Sequence, residues 1–434
     1  MPTIDDKRSA ALAAITAYHP TYQRYDNYYD GEHRLTFASD KFKNAFGNMF
    51  RAFADNLCAT VVDATSDRLT IVRFDSDSDA ISDAAWELWN ANRMDRGSGQ
   101  VHVEALKSGD AYLILWPDGD NVPRMYPNRA RGMTVGYDDE QPGLLTWAAK
   151  AWKLSDHRYR LNMYYADRIE KYITKQARES GGMPDKAEDW DAFQPEGETW
   201  PLSNPWEAVP VFHFANNAGV GEWGRSELRD VIPLQDALNK AMADMMVAME
   251  FNALPQRWAT GLEIPVGEDG RPISPFQPGG VWSVASPEVT FGEFAASNLQ
   301  QFTETHEQLR KEIAVVSRTP GHYITPMSGQ FPSGESLKTA EAAFLAKVRD
   351  RQVAFGNVWE DAMRLALRMA GSETTALSAV WEDATPRSEN ELAQRVQTLT
   401  ASGASIEGAA KVAGYDDKDV EDLMRTDSVN GLLP

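Results

Sequence analysis

One run of glycines has the spacing of a dinucleotide-binding loop. Gly219–Gly224 matches the pattern G-x-G-x-x-G and stands between a predicted strand and a predicted helix. In a Rossmann unit that helix is followed by a second parallel strand, which an acidic residue closes. Here the helix is predicted to continue to about residue 252, and Asp244, twenty residues on, lies inside it. The run is therefore interpreted as a flexible loop before a helix.

A second pattern resembles part of a calcium loop. Asp75, Asp77 and Asp79 occupy the first, third and fifth positions of an EF-hand. The sixth position is Ala80 where an EF-hand has glycine, and the twelfth is Trp86 where it has glutamate. The pattern favours a solvated turn that caps a helix, and we expect no calcium site.

Other catalytic and metal-binding patterns are missing from the sequence. The seven histidines are scattered without an H-E-x-x-H pair, and neither G-x-S-x-G nor the Walker G-x-x-x-x-G-K occurs. The only cysteine, Cys58, excludes an internal disulfide and lies in an apolar helical pattern that predicts a buried structural thiol. We therefore predict no catalytic residue, no metal and no cofactor.

The first half of the chain has the pattern of an α+β domain with an antiparallel sheet. Helices are predicted over 5–17, over 40–63 and around Trp86 and Trp89, and a Tyr cluster over 18–29 is predicted to pack at a subunit junction. Alternating or β-rich segments predict strands over 69–74, 111–116, 144–152, 158–165, 168–174 and 209–214. Residues 179–207 are predicted to form a long surface excursion.

The second half is dominated by three long helices. They are predicted over 227–252, with Ser226 as N-cap and a kink at Pro233, over 297–318, and from Ser333 or Ser336 onward for more than thirty residues. Residues 253–296 are rich in proline and glycine with short β-like pieces. Residues 319–334 contain three Pro, three Gly and no Asp, Glu, Lys or Arg. A small helical tail follows Pro386.

The charge of the chain argues against tight binding of nucleic acid. With 43 basic and 64 acidic side chains the formal net charge is −21, and no basic block stands out. Proteins that grip DNA neutralise phosphates with a basic stripe. No apolar run reaches the length of about 20 residues that a membrane span needs, and the N-terminus lacks the pattern of a signal peptide. We therefore expect a protein made in a reducing cytoplasm, with no membrane partner.

The order of several short motifs along the chain resembles the siphophage-type portal proteins of tailed double-stranded-DNA bacteriophages. The motifs are Tyr28-Tyr29-Asp30-Gly31, Arg68-Leu69 before a strand, Gly109-Asp110-Ala111-Tyr112, Val209-Pro210-Val211, Gly224-Arg225-Ser226-Glu227-Leu228, Leu234-Gln235-Asp236-Ala237-Leu238-Asn239-Lys240 and Ser333-Gly334-Glu335-Ser336-Leu337-Lys338. Two helices that flank a Pro/Gly-rich insert before the last motif strengthen the resemblance.

The resemblance implies an α+β portal fold made of named parts. It implies a wing over 1–224 and 336–385, stem helices over 225–252 and 297–318, and a small β-containing clip over 253–296. A tunnel loop over 319–335 and a short helical crown over 386–434 complete it.

The function that the resemblance implies is structural. Portal subunits form a ring, in general of twelve copies, at one capsid vertex of the virion, and serve as the conduit for DNA packaging and ejection. The implied partners are the large terminase, head–tail adaptors, capsid and scaffolding proteins, and double-stranded DNA that passes without sequence specificity. Assembly is expected in the host cytoplasm.

The candidate site residues follow from these parts. For the DNA-facing tunnel loop they are His322, Tyr323, Thr325, Met327 and Gln330. For the channel wall or the subunit interface they are Arg310, Lys311, Arg318, Met242, Met245 and Met249. For clip contacts they are Trp258, Arg271, Phe276 and Trp282. A cytoplasmic enzyme that acts on carbohydrate is the alternative, since Trp and carboxylates are both plentiful.

Overall fold

A computed structural model describes residues 4–33, 55–220, 222–253, 257–261, 288–293, 299–325, 334–385, 389–413 and 420. The described helices are α1 Ile4–Tyr29, α2 Leu57–Ser66, α3 Asp79–Ala91, α4 Met94–Ser108, α5 Ile232–Ala253, α6 Leu299–Ser317, α7 Gly321–Ile324, α8 Gly334–Met369, α9 Glu389–Ala401 and α10 Ile406–Ala413. The strands are β1 Ile71–Ser76, β2 Asp110–Pro117, β3 Pro123–Arg129, β4 Met133–Tyr137, β5 Leu145–Lys153, β6 Tyr159–Tyr164, β7 Arg168–Thr174, β8 Trp190–Ala192, β9 Leu202–Ser203, β10 Val211–Ala215, β11 Arg257–Thr260, β12 Thr290–Glu293 and β13 Leu377–Trp381.

The described strands form four sheets in which every pairing is antiparallel. A six-stranded sheet has the order β4-β5-β6-β7-β8 with β9 also on β7, and a three-stranded sheet has the order β10-β2-β3. Two-stranded sheets pair β1 with β13 and β11 with β12. The two larger sheets lie within residues 110–215, before the long helices α5, α6 and α8. The arrangement confirms the predicted α+β class with an antiparallel sheet.

The long helix α8 supplies much of the largest core. Its apolar residues recur at helical spacing, and Phe344, Phe355 and Trp359 are fully buried. Trp359 meets Trp89 of α3 edge to face, with 5.0 Å between the ring centroids. Aromatic side chains of this size each bury about 150–250 Å². The helix therefore joins the second half of the chain to the α+β body.

The first helix is longer than the sequence predicted. It continues through the tyrosines to Tyr29 and ends at the predicted Asp30–Gly31 turn. Tyr22 and Tyr28 are buried inside the same protomer. The assignment of this cluster to a subunit junction was therefore wrong for these two residues, although Tyr18 stays 46% exposed.

Other differences have local causes. Helix α4 was not predicted because Gly97 and Gly99, unfavourable by about 1 kcal/mol each in a helix, interrupt its pattern. Strands β3 and β4 were also missed, and 179–207 contains β8 and β9 with Trp190 buried.

Helix α5 begins at Ile232, so Pro233 lies in its first turn. Proline is tolerated there because that amide has no partner within the helix, and the predicted kink was wrong.

The strand predicted over 168–174 is found at those bounds as β7, and most of the other predicted elements are found with shifted ends. The first strand runs over Ile71–Ser76 in place of 69–74, and the helical tail begins at Glu389. Of the helix predicted over 40–63, residues 40–54 lie outside the described part. Cys58 is buried as predicted, and burial raises the pKa of its thiol to about 12.

Candidate functional site

Helices α5 and α6 form a pair that is buried at one end. The buried positions of α5 in this pair end at Ala243, and those of α6 are Ile313, Ala314 and Ser317, next to its C-terminus. Met242, next to Ala243, is half-buried, and beyond Ala243 Met245 is half-buried and Met249 is 51% exposed. Such a methionine face outside the core is adaptable in its contacts. The pair therefore has an anchored base and an outer part whose apolar face is available to another molecule.

The base of α5 is fixed by polar side chains of the Leu234–Lys240 motif. The amide of Gln235 accepts a bond from Leu57 N at 3.1 Å and donates to the Asp55 carbonyl at 2.6 Å. The carboxylate of Asp236 accepts a 2.6 Å bond from the Tyr28 hydroxyl. Gln235 and Asp236 are both buried. Since buried polar groups are costly without partners, these bonds hold α5 in one position against α1 and α2.

Glu227 is the centre of a buried ionic cluster. Its carboxylate lies 3.2 Å from Lys347 Nζ and 3.1 Å from an Arg351 guanidinium nitrogen, both on α8. Lys347 Nζ also donates to the Ser317 carbonyl at the end of α6, at 2.9 Å. Burial alone would raise the pKa of Glu227, but the positive charges of Lys347 and Arg351 outweigh it and hold the pKa below its usual value. The cluster thus ties the segment before α5, the end of α6 and the middle of α8 together.

Two glycines bring the segment before α5 against the end of α4. A Cβ on Gly224 would lie 1.8 Å from the Gly109 carbonyl oxygen, and Gly109 itself has φ +97°. Side chains are excluded at Gly224 by this contact and disfavoured at Gly109 by its backbone conformation. The final glycine of the G-x-G-x-x-G run is therefore explained by close backbone packing before α5, whereas the sequence interpretation expected a flexible loop.

The same contact contains a buried carboxylate network. Asp110 accepts bonds from Gly224 N at 2.8 Å and from the Tyr22 hydroxyl at 2.8 Å. It also lies 2.8 Å from His213 Nε2, whose other ring nitrogen is 2.7 Å from the Tyr137 hydroxyl. Asp110 is 2% exposed and all its partners come from other elements. The network joins α1, both larger sheets and the glycine loop. Both oxygens of the Asp110 carboxylate have hydrogen-bond partners, which indicates a structural role.

Further polar contacts fasten α7, which follows α6, to α8 and to Arg68 of the α+β body. Arg68 donates to the Tyr323 hydroxyl at 2.9 Å, and that hydroxyl is 3.4 Å from the Glu341 carboxylate. His322 Nε2 lies 3.1 Å from the same Glu341 oxygen. Arg310 forms an ion pair with Asp55. The start of the predicted loop is thus fastened to the body of its own protomer.

The structure places the predicted site residues in three groups. His322, Tyr323 and Arg310 have the contacts within the protomer given above, and Thr325 is half-buried. Lys311 and Arg318 are exposed near the end of α6. On β11 Trp258 is 40% exposed and covers Gly292 of β12. Met327, Gln330, Arg271, Phe276 and Trp282 lie outside the described residues, so those predictions stay predictions.

Sequence reasoning missed the buried carboxylates Asp110, Glu227 and Glu341. Asp110 and Glu227 belong to the motifs that carry the resemblance, and a charged residue inside an apolar context was the available signal. Asp110 and Glu227, however, each have partners more than 100 residues away, namely His213 at 103 residues and Lys347 at 120 residues. Local patterns in a sequence do not reveal such pairs.

The described residues show neither a metal-binding group nor a membrane-spanning helix. Among them, no group of three or more His, Cys, Asp or Glu side chains is placed to hold a metal ion, and Asp75 is paired with Arg73 at 2.7 Å. No described helix has both the length and the apolar character needed to cross a membrane. The carboxylates of Asp110, Glu227 and Glu341 each have partners that join elements of the same protomer.

Comparison with known proteins decides the family. A sequence model of the family described as phage portal protein, SPP1 Gp6-like, matches residues 10–424. The chain belongs to the phage portal protein family. Portal proteins are structural, so the family match confirms the prediction of a portal subunit without enzymatic activity. The carbohydrate-active enzyme that the sequence left open as an alternative finds no support.

Curated relatives and solved structures agree with this assignment. The portal protein of Mycobacterium phage D29 is 26% identical over 86% of this chain and 78% of its own length. That of Mycobacterium phage L5 is 23% identical over the same shares. In a virion of a native gene transfer agent, one chain is similar with a TM-score of 0.51 at 14% identity over 88% of this chain and 95% of its own. A chain in the neck of that particle, computed with C12 symmetry, gives 0.50 at 14% identity over the same shares.

Proposed function

We propose that this portal subunit assembles with copies of itself into a closed ring of twelve at one capsid vertex, through which double-stranded DNA is packaged and later ejected. The observation that carries the proposal is the helix pair α5 and α6, anchored at its base and exposed beyond it. The half-buried Met245 and the exposed Met249 leave an apolar face, which is costly in water unless a neighbour covers it. Copies arranged around an axis would bring these helices together as the stem.

The charge pattern supports a conduit that does not hold its DNA. Each phosphate that a protein neutralises adds affinity and would slow translocation. A net charge of −21 repels the duplex, over a distance of about 8 Å at physiological salt. The uncharged segment 319–334 would meet DNA through weak contacts that do not depend on sequence. Its DNA-facing part would be the segment after Thr325, because His322 and Tyr323 are engaged by Glu341 and Arg68.

The other parts of the chain are assigned to partners by their position in the family pattern. The insert between α5 and α6, with β11 and β12 at its base, would be the clip that contacts the large terminase during packaging and head–tail adaptors afterwards. The α+β body would be the wing, in contact with capsid and scaffolding proteins. Residues 386–434 would be the crown inside the capsid.

Removal of residues 326–332 tests the loop assignment. This deletion spares the contacts of His322 and Tyr323, so we expect rings of normal appearance under negative stain. The amount of DNA packaged per particle should fall at least tenfold, because the segment proposed to contact the duplex is absent. Deleting Glu196 and Gly197, which are exposed in the turn between β8 and β9 and do not line the cleft described below, is the control and should leave packaging unchanged. Normal packaging by the loop deletion would refute the assignment.

A further inference from the structure

A basic cleft of about 710 Å³ lies between α1 and the six-stranded sheet. No aspartate or glutamate lines it, although the whole chain has a net charge of −21. Five basic residues do line it: His19, Arg129, Arg131, Lys150 and Lys153. We call this site the basic cleft. Such a concentration of one sign of charge on a protein of the opposite sign is the signature of a site for an anionic group.

Burial lowers the pKa of His19, and three of the other four basic side chains have no carboxylate partner among the described residues. Arg131 lies 3.5 Å from Asp26, whereas Arg129, Lys150 and Lys153 form no ion pair with any described residue. The ammonium of Lys150 faces the Trp152 ring at 5.4 Å, and burial lowers its pKa. A half-buried ammonium without a counter-ion is costly. A carboxylate supplied from outside would remove that cost.

The floor of the basic cleft is apolar. Ile15, Met133, Trp152 and Met183 contribute to it. Its volume falls in the range of about 300–1,000 Å³ that is usual for ligand sites, which take a few side chains. A DNA duplex is too large for a cleft of this volume, since its major groove alone is about 12 Å wide. The fitting occupant is a short peptide segment with carboxylates and at least one apolar side chain.

The turn between β4 and β5 has that composition. Asp139 and Glu140 are exposed and form no described ion pair, and Asp138 precedes them. Leu144, at the end of the turn, is 53% exposed. We call residues 138–144 the acidic turn. Exposed carboxylates beside an exposed leucine complement both the charge and the apolar floor of the basic cleft.

The two surfaces lie at opposite ends of one hairpin. Met133 pairs with Lys150 at the open end of β4 and β5, where the basic cleft is, and Tyr137 pairs with Leu145 beside the acidic turn. From Leu145 to Lys153 an extended strand covers about 26 Å at roughly 3.3 Å per residue. One protomer therefore cannot place its acidic turn in its own basic cleft. Head-to-tail contact between identical subunits needs two different patches on each subunit, and this hairpin supplies both.

We propose that the acidic turn of each subunit docks in the basic cleft of the next subunit around the ring. The proposal rests on the proposed ring and names one of its subunit contacts. The carboxylates of Asp139 and Glu140 pair with Arg129 and Lys153, and Leu144 covers the apolar floor. Because the patches differ, the contact fixes the direction in which subunits follow one another.

Charge reversal tests the contact. The cleft variant Arg129→Glu/Lys153→Glu and the turn variant Asp139→Lys/Glu140→Lys replace exposed side chains, so both should keep the wild-type circular dichroism spectrum and unfolding midpoint. Each reversal puts like charges opposite each other. We expect the concentration of half-assembly, measured by mass photometry, to rise at least tenfold for either variant. The control Lys186→Glu reverses a lysine that is 70% exposed outside the cleft and should assemble like the wild type.

Mixing the two variants gives a sharper result. In an equimolar mixture, each reversed turn meets a reversed cleft and each native turn meets a native cleft, so subunits can alternate around an even-numbered ring. We expect assembly to return to within about threefold of the wild type, with both variants present in equal amounts by native mass spectrometry.

The outcomes distinguish failure of this contact from failure of the proposed ring. Wild-type protein that never self-associates would overturn the proposed ring and this contact with it. Wild-type rings together with normal rings of both single variants would overturn the contact alone. In that case, loss of binding of a poly-glutamate peptide or of a DNA duplex by the cleft variant would assign the basic cleft to another protein or to nucleic acid.

Discussion

Replacing Glu227 with alanine is expected to lower the free energy of unfolding by about 3–5 kcal/mol, the usual cost of removing one partner from a buried ion pair. The substitution leaves the buried Lys347 without its described carboxylate partner and leaves Arg351 only Asp350, whose side chain is 70% exposed. The Lys347 and Arg351 side chains are only 4% and 6% exposed, so solvent offers them little stabilisation. Urea denaturation of the purified protein measures the effect.

A matched control is available five residues earlier. Glu222 also pairs with an arginine, Arg225 at 2.8 Å, but its side chain is 56% exposed. Exposed pairs contribute about 0–1 kcal/mol, so Glu222→Ala should change stability little. Equal effects of the two substitutions would show that the Glu227 cluster does not hold the helices together.

Glu227 also makes the free energy of unfolding depend on pH. The pKa of Glu227 is lowered in the folded protein, so its ionised form stabilises the fold. That contribution is complete above the pKa of an unfolded glutamate, about 4.3, and is lost as the pH falls through the lower folded pKa. Between neutral pH and pH 3, the loss of stability should therefore be smaller in Glu227→Ala than in the wild type.

Substitution of Gly224 by alanine is expected to cost about 3 kcal/mol or more. Its Cβ would lie 1.8 Å from the Gly109 carbonyl oxygen and 2.7 Å from Asn216 N, both backbone atoms that cannot rotate away. Overpacking costs about 1–3 kcal/mol, and separation of the loop also removes the bond from Gly224 N to the buried Asp110, worth about 1.5–3 kcal/mol for a charged acceptor.

Gly182 serves as the control for this substitution. A Cβ there meets nothing within 4 Å, so Gly182→Ala should stay within about 0.5 kcal/mol of the wild type. Unfolding curves of the two variants decide between the explanations of the glycine run. If Gly224→Ala were as stable as Gly182→Ala, close packing would not account for that glycine.

The sequence predicted the elements whose pattern is local. Helices α6 and α8 were found close to their predicted ends because Ile313, Phe344 and Trp359 follow a regular helical spacing. Strand β7 was found at its predicted bounds because β-rich residues fill it and turns flank it. Helix α4 was missed because two glycines mask its period, and packing against α1, α2 and the three-stranded sheet stabilises it.

The site was predictable in outline only. The motifs around Asp110, Glu227 and Gln235 were visible, and each proves to contribute a buried polar contact at a junction. Which residues they meet depends on how distant elements pack, and periodicity carries no information about that. Tyr28 illustrates the limit, since its bond to Asp236 spans 208 positions.

The central claim, that this portal subunit forms a closed ring with an axial opening, is tested most directly by electron microscopy of the purified protein together with its native mass. We predict end-on views with a central hole and a mass of about twelve times 48.3 kDa. A neighbouring integer would change the subunit number but keep the ring. A stable monomer or dimer under all salt and crowding conditions that favour assembly would contradict the account.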